Sequence, residues 1–181
     1  ATTADGIRFG EQGLLDTAPR EIPLLTINPT ALVFAAGNQG AITNRSNPPA
    51  GDNPDNLTTY GLRVPNGKSL LLVGGDVIVD GGSITALEGR IELGGLTETG
   101  EIGLNFADAR GVGINLDFPQ QLTRANVSLT NGTFINVFSL SNGGDVAIKA
   151  QNITIADESS VIAGIDGNLT TDDSQAGNIT L

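Results

Sequence analysis

The feature that most narrows what this chain can fold into is self-similarity in its second half. Val77-Ile78-Val79-Asp80-Gly81-Gly82-Ser83-Ile84 matches Val127-Ser128-Leu129-Thr130-Asn131-Gly132-Thr133-Phe134-Ile135 with one residue inserted. A third copy is Ile153-Thr154-Ile155-Ala156-Asp157-Glu158-Ser159-Ser160-Val161, and a weaker one begins at Ile102-Gly103-Leu104. The starts at 77, 102, 127 and 153 are spaced by 25, 25 and 26 residues. A second signature, Gly-x-apolar-x-apolar, recurs at residues 89–93, 144–148 and 177–181. A fixed period built from short strands and turns is the mark of a solenoid. Leucine-rich repeats share the period but need a helix-like segment and a fixed Asn ladder, so a parallel β-helix fits better.

In such a fold each coil gives one rung to each of three parallel sheets, and alternate residues point inward. The inward set is expected to hold Val77, Val79, Ile91, Leu93, Val127, Leu129, Val146, Ile148, Ile153, Ile155, Ile179 and Leu181. At this period the chain would make roughly seven coils, a rod of about 30 Å. The spacer between the two signatures lengthens along the chain, so residues 165–176 should bulge from one side. Gly177–Leu181 reads as the third rung of a coil on which another should stack. The chain is therefore expected to be part of a longer polypeptide.

Residues 1–60 form a less regular part with extra-helical segments, and 61–181 the regular coils of the same single domain. Residues 46–56 (SNPPAGDNPDN) are so rich in Pro, Asn, Asp and Gly that an exposed loop is expected there. No 3.6-residue apolar stripe is evident, and Gly, at 25 residues, recurs too often for long helices.

Composition removes whole classes of function. There is no Cys and no His, so thiolate chemistry, the commonest general base and the commonest metal ligand are unavailable. The formal net charge of −11, from 20 acidic and nine basic residues, repels nucleic-acid phosphate and suits anionic membranes poorly. No apolar run approaches a membrane span of about 20 residues. Neither nucleic-acid binding nor membrane insertion is expected.

The ordered pieces of the chain also resemble a known family. Residues 61–96, GLRVPNGKSLLLVGGDVIVDGGSITALEGRIELGGL, are similar to the filamentous haemagglutinin-type exoproteins of two-partner secretion (the haemagglutination-activity/secretion domain family), above all the large cyanobacterial ones. So are ATTADGIRFG at the start, PLLTINPTALVF at 23–34, GAITNRS at 40–46, VSLTNG at 127–132, GGDVAIKAQNITI at 143–155 and SQAGNITL at 174–181. The resemblance implies a right-handed parallel β-helix with extra-helical hairpins. It implies export through an outer-membrane β-barrel transporter, secretion to the bacterial cell surface, and a structural or adhesive role. Cell-surface receptors, polysaccharide or neighbouring copies are the further partners it implies. The family's Asn-Pro-Asn secretion motifs are expected upstream of this chain; Ile27-Asn28-Pro29-Thr30 is the only similar string, and no motif residue is carried over.

The rival reading is a carbohydrate-binding or carbohydrate-active β-helix, such as a polysaccharide lyase or hydrolase. That chemistry needs carboxylates converging in a groove, often with Ca²⁺ and a basic residue. Asp76 and Asp145 occupy what read as equivalent Gly-Gly-Asp turns, and Asp80 and Asp157 equivalent turns one step on. Recurrence at corners is what turn chemistry produces, so no catalytic or cofactor-binding residue is assigned and no enzyme is expected. Asp166, Asp172 and Asp173, with Asn168 and Ser174, form a weak Ca²⁺ candidate without EF-hand or nonapeptide spacing. Seven Asn-x-Ser/Thr sequons, at Asn44, Asn56, Asn126, Asn131, Asn152, Asn168 and Asn178, follow from the richness in Asn and Thr. Gly74-Gly75 and Gly143-Gly144 read as corners needing unusual backbone angles, not phosphate loops. Arg63, Lys68 and Arg90 read as scattered.

Overall fold

The computed structural model describes residues 1–181 apart from 12, 17–27, 36–38, 54, 55, 57, 107–112, 140, 141 and 166–173. The described residues are all-β, and none of them forms a helix long and apolar enough to cross a membrane. The first strands are β1 (Gly6–Phe9), β2 (Gly13–Asp16), β3 (Ala31–Phe34), β4 (Ile42–Asn44), β5 (Pro49–Asp52) and β6 (Thr58–Tyr60). Next come β7 (Leu62–Arg63), β8 (Ser69–Gly74), β9 (Val77–Asp80), β10 (Ser83–Thr85), β11 (Arg90–Gly95), β12 (Gly100–Asn105) and β13 (Asn115–Asp117). The last are β14 (Val127–Thr130), β15 (Phe134–Asn136), β16 (Asp145–Lys149), β17 (Ile153–Ile155), β18 (Ser160–Ile162) and β19 (Ile179–Thr180).

Three four-stranded parallel sheets carry the repeat: β4-β9-β14-β17, β7-β10-β15-β18 and β8-β11-β16-β19. The chain visits them in this order four times. Val77 lies beside Val127 and Val127 beside Ile153, so the strongest sequence copies do stack as neighbours. Ile84 sits between Leu62 and Ile135, and Ile91 between Leu70 and Val146. Side chains of Leu70, Leu72, Val77, Val79, Ile84, Ile91, Leu93, Val127, Leu129, Ile135, Val146 and Ile148 fill the space enclosed by the sheets.

The copy at Ile102 is not a rung of these sheets, which corrects the regular period. Strand β12 pairs antiparallel with β3, Ile102 beside Leu32, and with β13 on its other side. Residues 97–106 and 113–124 belong to an excursion from the ladder. It leaves where Leu96 bridges Arg124, and it closes with Thr97 N donating to Thr123 O and Ala125 N to Gly95 O. Rungs therefore differ in length. Asp76 bonds a residue 50 positions on, whereas Asn126 bonds one only 26 on. Among the described residues four rungs are seen where seven were expected.

The excursion completes a five-stranded antiparallel sheet, β13-β12-β3-β1-β2, so the less regular first sixty residues also hold ladder structure. A second apolar cluster contains residues of this sheet and outward-facing residues of the parallel ladder: Leu32, Phe34, Val73, Leu96, Ile102, Leu116 and Phe118. Covering explains why Leu70-Leu71-Leu72-Val73 is a continuous apolar run, since a strand covered on both faces has no need to alternate. Strands β9 and β14, buried on one side, do alternate.

The proline-rich stretch at 46–56 departs from expectation as well. Pro49–Asp52 pairs with Thr58–Tyr60 in a two-stranded hairpin, irregular in register between Pro49 and Asp52. In a two-stranded sheet every strand is an edge, where a missing proline N–H is tolerated. Arg63 fastens the hairpin: its Nη1 donates to Ala50 O at 3.3 Å, Asp52 O at 2.8 Å and Thr59 Oγ1 at 3.0 Å.

The paired glycines also act differently from expectation. None of Gly74, Gly75, Gly143 and Gly144 has positive φ. They permit close approach instead: a Cβ on Gly144 would lie 2.3 Å from Gly89 O, and one on Gly75 2.4 Å from Gln39 O. Left-handed backbone falls at the other corner, at Gly81, Asn131, Gly132 and Asp157.

Ile155 corrects the expected core. It holds the inward register beside Leu129, yet it is 42% exposed. Strand β17 is the edge of its sheet, and among the described residues no further rung covers it. Ile179 and Leu181 are exposed for the same local reason.

Candidate functional site

The recurring acids sit at strand ends, each engaged by a neighbouring rung. Asp76 Oδ1 accepts from Asn126 N at 2.8 Å and Asn126 Nδ2 at 3.3 Å. Asn126 Oδ1 in turn accepts from Asn152 Nδ2 at 2.8 Å, so a side-chain ladder runs along the corner. Asp145 Oδ1 takes the same pair of bonds from Asn178, at 2.8 and 3.2 Å. The two acids do the same work in different sheets: Asp76 precedes β9, while Asp145 opens β16, so their turns are not equivalent. At the far end of β9, Asp80 accepts from Arg45 Nε at 2.8 Å and Asn131 Nδ2 at 2.6 Å. These bonds, that from Asn131 first, hold its carboxyl below the usual carboxylate range. Asp80 lies beside Thr130, whereas the Asp157 carbonyl accepts from Gly132 N, so these two acids are a residue out of step.

Nothing in this arrangement gathers carboxylates into a groove. Among the described residues no three acidic groups stand close enough to hold a metal ion. A recess of about 150 Å³ beside Asp76 is lined by Gln39, Ala41, Gly75, Leu96 and Thr97 and contains that single acid. Asp166, Asp172 and Asp173 lie outside the described residues, as does Asn168. The sequons at Asn126, Asn131, Asn152 and Asn178 are in the corner bonds above. Asn44 is buried, with Oδ1 accepting from Ser46 N. Asn56 occupies a left-handed turn.

Sequence reasoning missed a charged cluster on the outer face of the β8-β11-β16-β19 sheet. Arg90 and Glu92 on β11 meet Asp145 and Lys149 on β16. Arg90 Nε donates to Glu92 Oε1 at 2.6 Å, and Arg90 Nη1 to Asp145 Oδ2 at 3.2 Å. Lys149 Nζ lies 3.8 Å from Glu92 Oε2, donates to Leu116 O, and stands 6.0 Å above the Phe118 ring. Glu92 is completely buried, and its Oε2 has no hydrogen-bond partner. Burial pushes its carboxyl above the usual range, against the pull of Arg90 and Lys149. Arg90 is therefore not a scattered charge. The available signal was weak: one Glu between Ile91 and Leu93, in a strand whose outer face looked solvated.

The described residues thus combine a five-stranded antiparallel sheet, a parallel ladder with asparagine corners and no cluster of three acids. The family model of the TPS secretion domain matches residues 1–148. The chain belongs to the TPS (two-partner secretion) domain family. The match takes in the antiparallel sheet and the first three rungs, so the segments that looked least regular are part of the secretion domain. TPS proteins are secreted, and their export depends on an outer-membrane transporter as the second partner. Comparisons with the curated proteins and with the solved structures give no significant match.

Proposed function

We propose that this TPS chain is a structural and adhesive segment of a filamentous haemagglutinin-type exoprotein, displayed at the bacterial cell surface and built as a right-handed parallel β-helix. The observation that carries the reading is the fourfold passage through three parallel sheets in constant order. A stack of that kind extends by adding rungs, and its sides offer long surfaces suited to receptors, polysaccharide or neighbouring copies. The engagement of Asp76, Asp80 and Asp145 in inter-rung bonds supports a non-enzymatic role, because each carboxylate already accepts hydrogen bonds that hold rungs together. The antiparallel sheet is the extra-helical element of this architecture.

The test is expression of the full polypeptide in a Gram-negative host with and without its transporter. Transporter-dependent appearance outside the cell and a gain in cell adhesion or aggregation are expected. Depolymerisation of an acidic polysaccharide by the purified secreted protein, lost on replacing Asp76 or Asp145, would overturn the non-enzymatic part. Secretion with no effect on adhesion would overturn the adhesive part.

A further inference from the structure

Asparagine followed by glycine is a chemically labile pair, because a glycine nitrogen, with no Cβ beside it, can swing against the Cγ of the preceding residue. Three such pairs occur: Asn66-Gly67, Asn131-Gly132 and Asn142-Gly143. In the fold each of these nitrogens is engaged. Gly67 N donates to Leu87 O at 2.8 Å, Gly132 N to Asp157 O at 2.7 Å and Gly143 N to Gln175 O at 2.8 Å. Every acceptor lies on the rung that follows. The bond that stacks one corner on the next therefore also occupies the atom that would attack.

The pairs differ in what holds the accepting rung. Leu87 is 3% exposed and lies between β10 and β11, strands with a neighbour on both sides. Asp157 follows β17, the edge of its sheet among the described residues, where Ile155 is 42% exposed. Edge structure opens more often than structure held on both sides. Asn131 and Gly132 are themselves exposed, with φ of 56° and 73°, so water already reaches them. The leaving amide is held as well, Asn131 Nδ2 donating to Asp80 Oδ1 at 2.6 Å.

We propose that Asn131 is a modification site, deamidated by the backbone nitrogen of Gly132 whenever the fourth rung opens at Asp157. Once Asp157 O withdraws, Gly132 N gives its proton to solvent and attacks Asn131 Cγ. The N–Cγ bond forms, the Cγ–Nδ2 bond breaks, and Nδ2 takes up a proton and leaves as ammonia. Water then adds to one carbonyl of the succinimide and cleaves its bond to nitrogen, leaving aspartate or isoaspartate at position 131. Overall a water is consumed and an ammonia released, with no change of oxidation state. The product cannot restore the corner. A carboxylate at position 131 faces Asp80 where an amide had donated, and like charges there repel. Isoaspartate also lengthens the backbone of the turn. Asn131 thus records, irreversibly, that the fourth rung has been open. The inference rests on the bonded corners and does not depend on adhesion or on the identity of the transporter.

The experiment incubates the whole chain at mildly alkaline pH, folded and in urea, and follows the Asn66 and Asn131 peptides by mass spectrometry. Hydrogen exchange at the Gly132 amide is measured alongside. In urea the two asparagines should react at comparable rates. In the folded chain both should slow, Asn66 far more than Asn131. Ile155→Ala, at the exposed edge, should raise both Gly132 exchange and Asn131 modification severalfold and leave Asn66 unchanged. Ser159→Ala, which removes the fourth-rung acceptor of Thr133 N at 3.1 Å, should act in the same direction. Asn131 reacting as fast folded as unfolded, or Asn66 keeping pace with it in the folded chain, would overturn the proposal. So would Asn131 modification that stays at the wild-type rate in both variants.

Discussion

Truncating two isoleucine-sized side chains in adjacent rungs distinguishes enclosed from open ladder positions. Leu129 and Ile155 are register partners in neighbouring strands, one fully buried and the other 42% exposed. Leu129→Ala removes three buried carbons, about 2.4 kcal/mol at ~0.8 kcal/mol per methylene. Val79 on one side and Ile155 on the other are held by the backbone ladder and cannot collapse fully into the gap. A cavity contribution therefore raises the loss to about 3–5 kcal/mol. Ile155→Ala removes as many carbons but little more than half of that burial, so its transfer loss is about 1.4 kcal/mol. Solvent already reaches the site, and no closed cavity is created. Urea unfolding with the slope held in common gives both differences. Thermal melts should fall by about 8–15 °C for Leu129→Ala and about 3–5 °C for Ile155→Ala. Equal losses would mean that Ile155 is enclosed and that the open edge of β17 is wrongly described. A loss below about 1.5 kcal/mol for Leu129→Ala would refute the enclosed core.

Backbone approach gives a sharper contrast. A Cβ on Gly95 would lie 1.7 Å from Gly74 O in the next rung, so Gly95→Ala should abolish soluble folded protein, seen as loss of the β-sheet circular dichroism signal. Gly67→Ala meets nothing within 4 Å and should cost only about 1 kcal/mol from its positive φ, measured by urea midpoint. Asp76→Ala leaves the Asn126 amide without its acceptor and should cost about 1–3 kcal/mol, whereas Asp76→Asn, which retains a carbonyl, should cost less; equal midpoints for Asp76→Ala and wild type would contradict the corner ladder. Calcium at millimolar concentration should shift the melting temperature by less than about 1 °C, and a saturable rise abolished by Asp172→Asn would establish an ion in residues 165–176.

Much of the ladder was legible in the residues themselves. Period-two alternation in Val77–Asp80 and Val127–Thr130 reports which side chains turn inward, because a strand has a fixed two-residue geometry wherever it lies. The matching strings at 77, 127 and 153 located true neighbours for the same reason: residues stacked in register face the same environment. The Asp and Asn of the corners were readable as turn chemistry, since their short polar side chains bond nearby backbone. The family was readable from the order of its pieces.

The tertiary structure alone decided where the fourth copy went and what covers the ladder. Ile102-Gly103-Leu104 alternates as well as any rung, but alternation is identical in parallel and antiparallel strands and does not name a partner. Pairing with Leu32 brings together residues 70 positions apart in sequence, and only the folded chain supplies that proximity. The hairpin at Pro49–Asp52 escaped notice because two-stranded edges tolerate residues that a central strand rejects. Glu92 escaped for a related reason. Alternation placed it on the outer face, and a charged residue there ordinarily meets water. Whether that face is wet depends on the excursion packed above it, and hence on contacts between segments that no local pattern encodes.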